Sequence, residues 1–267
     1  MNILVCIKQV PSSSNVKVDP ETGVLIRDGA QSKMNPYDLY ALEMGLSLRE
    51  RYGGSLQVIT MGPDSAKAVL MEAIYMGADH GYLISDRRFA GADVLATSYT
   101  IASAIAAIAT QAPFDLILCG KQTTDGDTAQ VGAELAEFLH LPHYANVQSA
   151  EITKEGALRC TCLLGRELLT ARLTLPALLC ADGEINTPRL PSYRRRQAAQ
   201  KREDWITVLS LNDFADQDST HYGLNGSPTQ VEKIFPPEKK AGHVRLTGSG
   251  QELGEQLYTL LQEKEFI

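Results

Sequence analysis

Short apolar runs alternate with amphipathic segments through the first half of the chain. Continuous apolar runs at 2–7, 56–61, 81–84 and 116–119 are typical of strands that are buried on both faces of a sheet. The segments between them repeat their apolar positions every three to four residues, as helices do. This alternation predicts an α/β fold with a doubly wound, mostly parallel sheet. Loops that follow parallel strands emerge at one edge of the sheet, where we expect any ligand to bind.

The second half of the chain has a different pattern. Four strand-like runs follow one another without helices between them, at 146–152, 158–164, 168–173 and 177–180. These runs predict antiparallel strands that are added to the parallel sheet. Near the N-terminus, two short apolar runs at 16–18 and 24–26 predict a small hairpin.

The composition changes again after Ile185, where turn residues and polar residues become frequent. We therefore predict an α/β domain at 1–185, a partner-recognition loop and linker at 186–203, and an extended arm at 204–267. The arm has few apolar positions from which to build its own core, so we expect it to pack on another chain.

A polar loop containing two glycines separates the run at 116–119 from the next amphipathic segment. Its residues are Gly120, Lys121, Gln122, Thr123, Thr124, Asp125, Gly126, Asp127, Thr128, Ala129, Gln130 and Val131. Asp127 or Thr128 is a suitable N-cap for a helix that starts at Ala129. The free amides and the positive dipole at such a helix N-terminus attract anions, and nucleotide phosphates are the usual occupant. From these residues alone, the loop can be interpreted either as a phosphate-binding site or as a strand–helix turn that binds no ligand.

The loop sequence GKQTTDGDTAQVG closely resembles the nucleotide-binding loop of the small (beta) subunit of electron-transfer flavoproteins. Other motifs of that family recur along the chain: VCIKQV at 5–10, MNP at 34–36, MGP at 61–63, MGAD at 76–79, LP at 175–176 and NTPR at 186–189. The resemblance therefore covers nearly the whole chain. It implies an α-hydrolase-like or Rossmann-like fold that binds an adenine nucleotide.

The resemblance also implies a cofactor, which is AMP in ordinary members of the family and a second FAD in electron-bifurcating members. It places the nucleotide on the loop 120–131 and on residues near other strand ends: Cys6, Asn35, Pro36, Tyr37, Asp38, Met61 and Gly62. Cys6 is expected to contribute only backbone atoms. Asn35 has a second interpretation as the N-cap of a helix that begins at Pro36.

Two features resemble the bifurcating members and favour FAD. One is the sequence DGDTAQV at 125–131. The other is a loop that we expect to hold the flavin or the diphosphate of NADH, with Ser85, Asp86, Arg87, Phe89, Ala90 and Gly91. A solvated charged loop before a helix cap is the alternative for this second segment. Val94 departs from the family pattern, because threonine is expected there in many relatives.

The implied activity is NADH oxidation with division of the electron pair. A FAD in this chain would take a hydride from NADH as substrate and send one electron through a FAD in an alpha subunit to a dehydrogenase. The other electron would go to ferredoxin or flavodoxin. Two alternatives stay open: an ordinary carrier that holds structural AMP, and an adenine-nucleotide-binding regulatory protein.

The partners implied by the resemblance are an alpha subunit in a heterodimer, an FAD-dependent dehydrogenase, and ferredoxin or flavodoxin. The segment 188–193 matches the position of the loop with which this family recognises its dehydrogenase. Leu190 and Tyr193 are the candidate anchors, since an exposed apolar side chain on a rigid turn loses little entropy on docking. The alternative is that both side chains cover the end of the sheet within this chain.

The charge, the cysteine spacing and the histidine positions argue against a nucleic-acid-binding protein, a metal site and a histidine-based catalytic site. A net charge of −7 without a basic stripe argues against a nucleic-acid partner. Cys160 and Cys162 are separated by one residue, a gap too short for common zinc or iron–sulfur sites, so no metal is expected. The scattered histidines form no catalytic set, which fits a chain in which a flavin carries the redox chemistry.

The expected compartment is the cytoplasm. An odd number of cysteines, five, suits a reducing environment, and Cys6, Cys119 and Cys180 lie in strand patterns as small core residues. Met1 leads almost directly into the first strand, without a signal peptide. The alanine-rich run at 101–109 is too short to cross a membrane, so no membrane insertion is expected.

Overall fold

A computed structural model describes residues 1–12, 17–18, 25–26, 32–183, 185–231 and 245–267. The strands are β1 (Asn2–Cys6), β2 (Gln9–Pro11), β3 (Lys17–Val18), β4 (Leu25–Ile26), β5 (Ser32–Met34), β6 (Ser55–Met61), β7 (His80–Ile84), β8 (Leu116–Gly120), β9 (His143–Ile152), β10 (Leu158–Leu164), β11 (Glu167–Leu173), β12 (Ala177–Ala181) and β13 (Ile206–Leu209). The helices are α1 (Pro36–Tyr52), α2 (Lys67–Met76), α3 (Val94–Ala109), α4 (Val131–Phe138), α5 (Tyr193–Ala199) and α6 (Gly250–Glu263).

A nine-stranded sheet organises the fold, in the order β11-β10-β9-β12-β8-β1-β6-β7-β13. Of these nine strands only β10 runs against the others, because its pairings with β9 and β11 are antiparallel and the other pairings are parallel. The predicted α/β class with a mostly parallel sheet is confirmed.

The direction predicted for 177–180 is wrong. This run forms β12, which is inserted between β8 and β9 and is parallel to both. Every residue of β12 is buried, which is typical of a central parallel strand. A short apolar run does not encode which strands flank it, so its position and direction depend on distant segments. The antiparallel prediction holds where β10 pairs with β9 and β11.

Helices cover both faces of the sheet. On one face α1 and α2 bury side chains such as Leu42 and Leu70 against the strands, and on the other α3 and α4 bury Ile105 and Leu135. These side chains are at most 3% exposed, so each helix packs through its apolar face. The two layers hold the strand ends rigid at the edge from which the site loops emerge.

Residues 206–227, which belong to the predicted arm, pack on the sheet of this chain. The strand β13 pairs with β7, and beyond it Leu211, Phe214 and Tyr222 are at most 3% exposed. Phe214 stacks on Phe89, with 5.6 Å between the ring centroids. A four-residue strand followed by isolated aromatic residues gives little periodic signal, which is why the sequence did not predict this packing.

The last helix, α6, buries no residue within the described part of the chain. Leu257 and Tyr258 on this helix are about half exposed, at 48% and 57%. Its packing on an alpha subunit stays a prediction. None of the helices described is both long enough and apolar enough to cross a membrane.

The predicted N-terminal hairpin agrees with the structure where it is described. The strands β3 and β4 pair with each other antiparallel, with Lys17 opposite Ile26 and Val18 opposite Leu25. The turn between them, and the first residue of each predicted run, lie outside the described residues.

Candidate functional site

The loops after β1, β6, β7 and β8 lie along one edge of the sheet. These strands are parallel and adjacent, so their carboxyl ends meet at that edge. The structure thereby places Cys6, Met61 and the loop 120–131 together, with the start of α1 beside them. The segment 85–91 follows β7 at the same edge, three strand spacings or about 14 Å from β8.

Gly120 ends β8 directly against the start of α1. A Cβ atom at this position would lie 2.4 Å from Asp38 Oδ1 and 2.7 Å from the carbonyl carbon of Tyr37. No real Cβ makes such contacts with backbone atoms, so only glycine lets the strand approach the helix this closely. This approach positions the polar loop that follows.

Asn35 ties the start of α1 to that loop. Its Nδ2 donates to the backbone oxygen of Gln122 at 2.8 Å, and its Oδ1 accepts from the backbone amide of Thr124 at 3.2 Å. Nδ2 also donates to Asp38 Oδ1 at 2.9 Å. Asn35 stands at the N-cap position of α1, as the sequence predicted, but its side chain makes no capping hydrogen bond.

Asp38 is the second buried anchor of the loop. Its Oδ2 accepts from the backbone amide of Lys8, just beyond β1, at 2.7 Å. Burial raises the pKa of this carboxyl to about 7, against the hydrogen bonds from Asn35 and from the amides of Lys8 and Gly120, which favour the charged form. Asn35 is 0% and Asp38 5% exposed, so these side chains lie beneath the site rather than on its surface.

The loop itself turns through two left-handed residues, Asp127 with φ 50° and Ala129 with φ 55°. The helix α4 begins at Val131, with Gln130 at the N-cap and no side-chain cap. The prediction that Asp127 or Thr128 caps a helix starting at Ala129 is therefore wrong. The Asp127 carboxylate instead accepts from Gln122 Nε2 at 3.0 Å, because capping residues are equally suited to hydrogen-bonding within turns.

The backbone amides of Thr128, Ala129 and Gln130 point to no acceptor within the described part of the chain. Residues 124–130 are all exposed. Free amides around left-handed residues, at the positive end of a helix, form a concave site for anions. This set of donors fits a nucleotide phosphate.

Two ion pairs connect the start and the middle of the loop to neighbouring segments. Lys8 Nζ contacts both carboxylate oxygens of Asp125, at 2.9 and 2.7 Å, and Lys121 Nζ lies 3.3 Å from Asp182 Oδ1. Lys8 and Asp125 are partly exposed, at 44% and 34% of their side-chain areas, so solvent screens this pair. The main effect of this pair is to fix the position of the Lys8 side chain beside the loop, and its contribution to stability is small.

Three cysteines lie side by side at the ends of adjacent strands below the loop. Cys119 pairs with Cys180 in the sheet, and Cys6 follows the paired residues Val5 and Leu118. The hydrogen bond with the Cys119 thiol, together with burial, raises the pKa of Cys180 well above its usual value, which leaves an unreactive thiol. All five cysteines are free. Cys119 and Cys180 are buried core residues, as predicted, whereas Cys6 is only half-buried and packs against the core from its edge.

The loop 85–91 divides into structural and exposed residues. The Asp86 carboxylate accepts from the side chain and the backbone amide of Arg88 and from the amide of Leu211, and these bonds hold its pKa far below the usual range. Phe89 is 4% exposed and packs in the aromatic core. The structure therefore does not bring Asp86 or Phe89 to the ligand surface, whereas Arg87 is exposed and its guanidinium pairs with none of the described residues.

The segment 186–193 is anchored to α1 by Arg189. Its guanidinium bonds Glu43 at 2.8 and 2.9 Å and Glu50 at 2.5 and 3.1 Å, and its amide donates to Glu43 at 3.0 Å. Leu190 and Tyr193 stand out from this anchored segment, 86% and 72% exposed. The alternative that they cover the end of the sheet does not agree with these exposures.

Comparison with known proteins supplies the family. Residues 22–208 match the electron transfer flavoprotein domain. The chain belongs to this family. It is 40% identical to the electron transfer flavoprotein subunit beta of Clostridium acetobutylicum over 268 residues, which cover 100% of both chains.

Two further relatives carry other names. The caffeyl-CoA reductase-Etf complex subunit CarD of Acetobacterium woodii is 40% identical over 270 residues, with 100% of both chains covered. Protein FixA of Bradyrhizobium diazoefficiens is 40% identical over 265 residues, which cover 96% of this chain and 90% of FixA. The chain is thus a member of the electron transfer flavoprotein beta-subunit family, whose members pair with an alpha subunit.

Two charged residues of this flavoprotein subunit were not singled out from the sequence. Lys8 reaches Asp125, which lies 117 residues further along the chain. Glu43 bonds Arg189, 146 residues away. Glu43 could have been found, because it lies four positions after Leu39, which packs against the core, and an acidic residue on that side of a helix needs a buried partner. Among the described residues no group of three or more histidine, cysteine or acidic side chains could hold a metal ion.

Proposed function

We propose that this chain is the nucleotide-binding subunit of an electron-bifurcating flavoprotein that oxidises NADH, and that its nucleotide is FAD. The site along the sheet edge is the observation that carries the proposal. It combines the free amides of Thr128, Ala129 and Gln130 in the loop after β8 with the exposed cation Arg87 in the loop after β7, and these two strands are three strand spacings, or about 14 Å, apart. AMP needs only the first of these sites, whereas a dinucleotide is long enough to use both.

The residues of the chain have distinct roles in this proposal. When bound, the flavin supplies the redox chemistry, taking a hydride from NADH and releasing single electrons. The amides at the start of α4 hold a phosphate of the FAD, and Gly62 and the backbone of Cys6 line the crevice between the strand ends. Asn35 and Asp38 hold the loop in its binding conformation from below. Arg87 binds the diphosphate of the flavin or of NADH.

Electron delivery requires partners. We propose that the alpha subunit carries the second FAD and contacts the exposed face of α6, and that ferredoxin or flavodoxin takes the low-potential electron. The FAD-dependent dehydrogenase docks on Leu190 and Tyr193. Their exposure and the anchored backbone beside them support this role.

The nucleotide content of the purified heterodimer tests the cofactor. We expect two FAD molecules and no AMP per heterodimer after denaturation and chromatographic analysis, and loss of flavin absorbance when NADH is added without oxygen. One FAD and one AMP would show the ordinary carrier instead. A heterodimer without flavin would contradict both and leave a nucleotide-binding regulatory protein.

Arg87→Ala is expected to raise the KM for NADH at least tenfold, while dithionite still reduces the flavins. A lost charge-assisted hydrogen bond costs ~1.5–3 kcal/mol, and ~1.4 kcal/mol corresponds to a factor of ten. The matched control is Arg88→Ala, because the Arg88 guanidinium is already bonded to Asp86 and is therefore not free to bind NADH. A KM within twofold of wild type for Arg87→Ala would remove this loop from the NADH site.

A further inference from the structure

Three thiols lie in a row at the ends of neighbouring strands, below the candidate nucleotide site. We call Cys6, Cys119 and Cys180 the thiol row. Cys119 and Cys180 are paired residues of β8 and β12, and Cys6 lies opposite Cys119 because the preceding residues of β1 and β8 are paired. The Cys119 thiol is hydrogen-bonded with both of the others. The thiol row therefore links a residue at the edge of the site to two residues inside the core.

The thiol row is accessible at one end. Cys119 and Cys180 are each 5% exposed, whereas Cys6 is partly exposed at the end of β1. The hydrogen bond with Cys180 favours the thiolate of Cys119, but the hydrogen bond with Cys6 and burial outweigh it and hold the pKa of Cys119 well above its usual value. Oxidants attack the thiolate, so Cys119 and Cys180 are poor first targets. Cys6 is the thiol of the row that an oxidant in solution reaches first.

The spacing of the thiol row suits a disulfide between Cys6 and Cys119. Neighbouring strands lie ~4.8 Å apart, and the Cα atoms of a disulfide are ~4.4–6.8 Å apart. Both side chains pack on the same face of the sheet, and their hydrogen bond already brings the two sulfur atoms together. Cys160 and Cys162 provide a contrast, because they are only 1% and 2% exposed. Burial shields that pair from oxidants in solution.

The start of α4 lies directly on the thiol row. Gly132 is the second residue of this helix, and a Cβ atom there would overlap Cys180 Sγ and lie 3.6 Å from Cys119 Cβ. When Cys119 forms a disulfide, its sulfur atom moves next to this tightly packed turn. The free amides of residues 128–130 immediately precede the turn. Movement in the thiol row is therefore transmitted to the anion site.

We propose that Cys6 is a peroxide-sensitive modification site, that Cys119 converts the oxidised Cys6 into a disulfide, and that this disulfide weakens nucleotide binding. Hydrogen peroxide oxidises the Cys6 thiol to a sulfenic acid and is itself reduced to water. The Cys119 sulfur then bonds to the Cys6 sulfur, and the hydroxyl of the sulfenic acid leaves with the Cys119 proton as a second water. A dithiol reductant returns two electrons and two protons and restores both thiols. The effect on binding rests on the proposed phosphate site, whereas the disulfide does not.

Peptide mapping of the nucleotide-depleted heterodimer after hydrogen peroxide treatment tests the disulfide. We expect a peptide pair linked through Cys6 and Cys119, with Cys160 and Cys162 still reduced. Cys119→Ser should leave a sulfenic acid on Cys6 that dimedone traps, and Cys6→Ser should leave Cys119 reduced. Cys160→Ser is the matched control and should form the same link as wild type. An unmodified Cys6, a link from Cys119 to Cys180, or oxidation of Cys160 as fast as that of Cys6 overturns the proposed site.

Titration of the heterodimer with AMP and with FAD measures the effect on binding. We expect the oxidised heterodimer to bind both at least ~10-fold more weakly than the reduced one, because the disulfide disturbs a preformed site, and dithiothreitol should restore the affinity. Peroxide should leave the affinity of Cys6→Ser unchanged from that of its own untreated form. Equal affinities with the mapped disulfide present overturn the coupling. If the reduced heterodimer binds neither nucleotide, the proposed phosphate site is wrong, and with it the coupling but not the disulfide.

Discussion

Replacing Asn35 with alanine is expected to weaken nucleotide binding at least ~30-fold, which corresponds to ~2 kcal/mol. The Asn35 side chain is fully buried and makes the bonds that hold Gln122 and Thr124. Without it, the partly buried carbonyl of Gln122 and amide of Thr124 lose these hydrogen bonds, each worth ~0.5–1.5 kcal/mol. The nucleotide then has to order the loop when it binds, and the free energy spent on this ordering lowers the affinity.

Nucleotide retention and local exchange measure this effect separately. Titration of the nucleotide-depleted heterodimer gives the affinity, and hydrogen–deuterium exchange of residues 120–131 reports the order of the loop. Asn225→Ala is the matched control, since that asparagine is exposed and should change neither quantity. Wild-type affinity together with slow exchange in the Asn35 variant would show that the loop does not depend on this anchor.

Gly120→Ala is expected to lower the free energy of unfolding by at least ~3 kcal/mol. The new methyl group would lie 2.4 Å from Asp38 Oδ1 and within 3 Å of two backbone atoms of α1, so strand and helix would have to move apart. That movement also disturbs the hydrogen bonds of Asp38, which is buried and needs them. The effect is large because two of the three nearest atoms belong to the backbone of α1, and the third, Asp38 Oδ1, is held by the buried hydrogen bond from Asn35.

Thermal and denaturant unfolding of the heterodimer measure the loss for Gly120→Ala. Gly126→Ala provides the control from the same loop, because its Cβ would meet only Thr123 Oγ1, at 3.5 Å, an ordinary contact. We expect Gly126→Ala to unfold within ~1 kcal/mol of wild type. Similar losses for the two variants would mean that the close approach at Gly120 is not what stabilises this edge of the sheet.

The sequence determined most elements of the parallel sheet and the edge at which the candidate site lies. Strong local patterns specify buried strands and amphipathic helices, and the parallel alternation of these elements places the strand-end loops together. The family motifs, which are contiguous strings, identified the beta-subunit family. These features are local in the chain, so they can be interpreted without knowing which distant segments meet.

Only the tertiary structure decided what several of those residues do. Asn35 reaches Gln122 across 87 positions of the chain, and Arg189 reaches Glu43 across 146, so no local pattern contains either contact. The position of β12 between β8 and β9 likewise depends on contacts between segments that are distant in the sequence. Such contacts form because burial leaves each polar group only the partners that packing brings within reach, and that packing is a property of the whole chain.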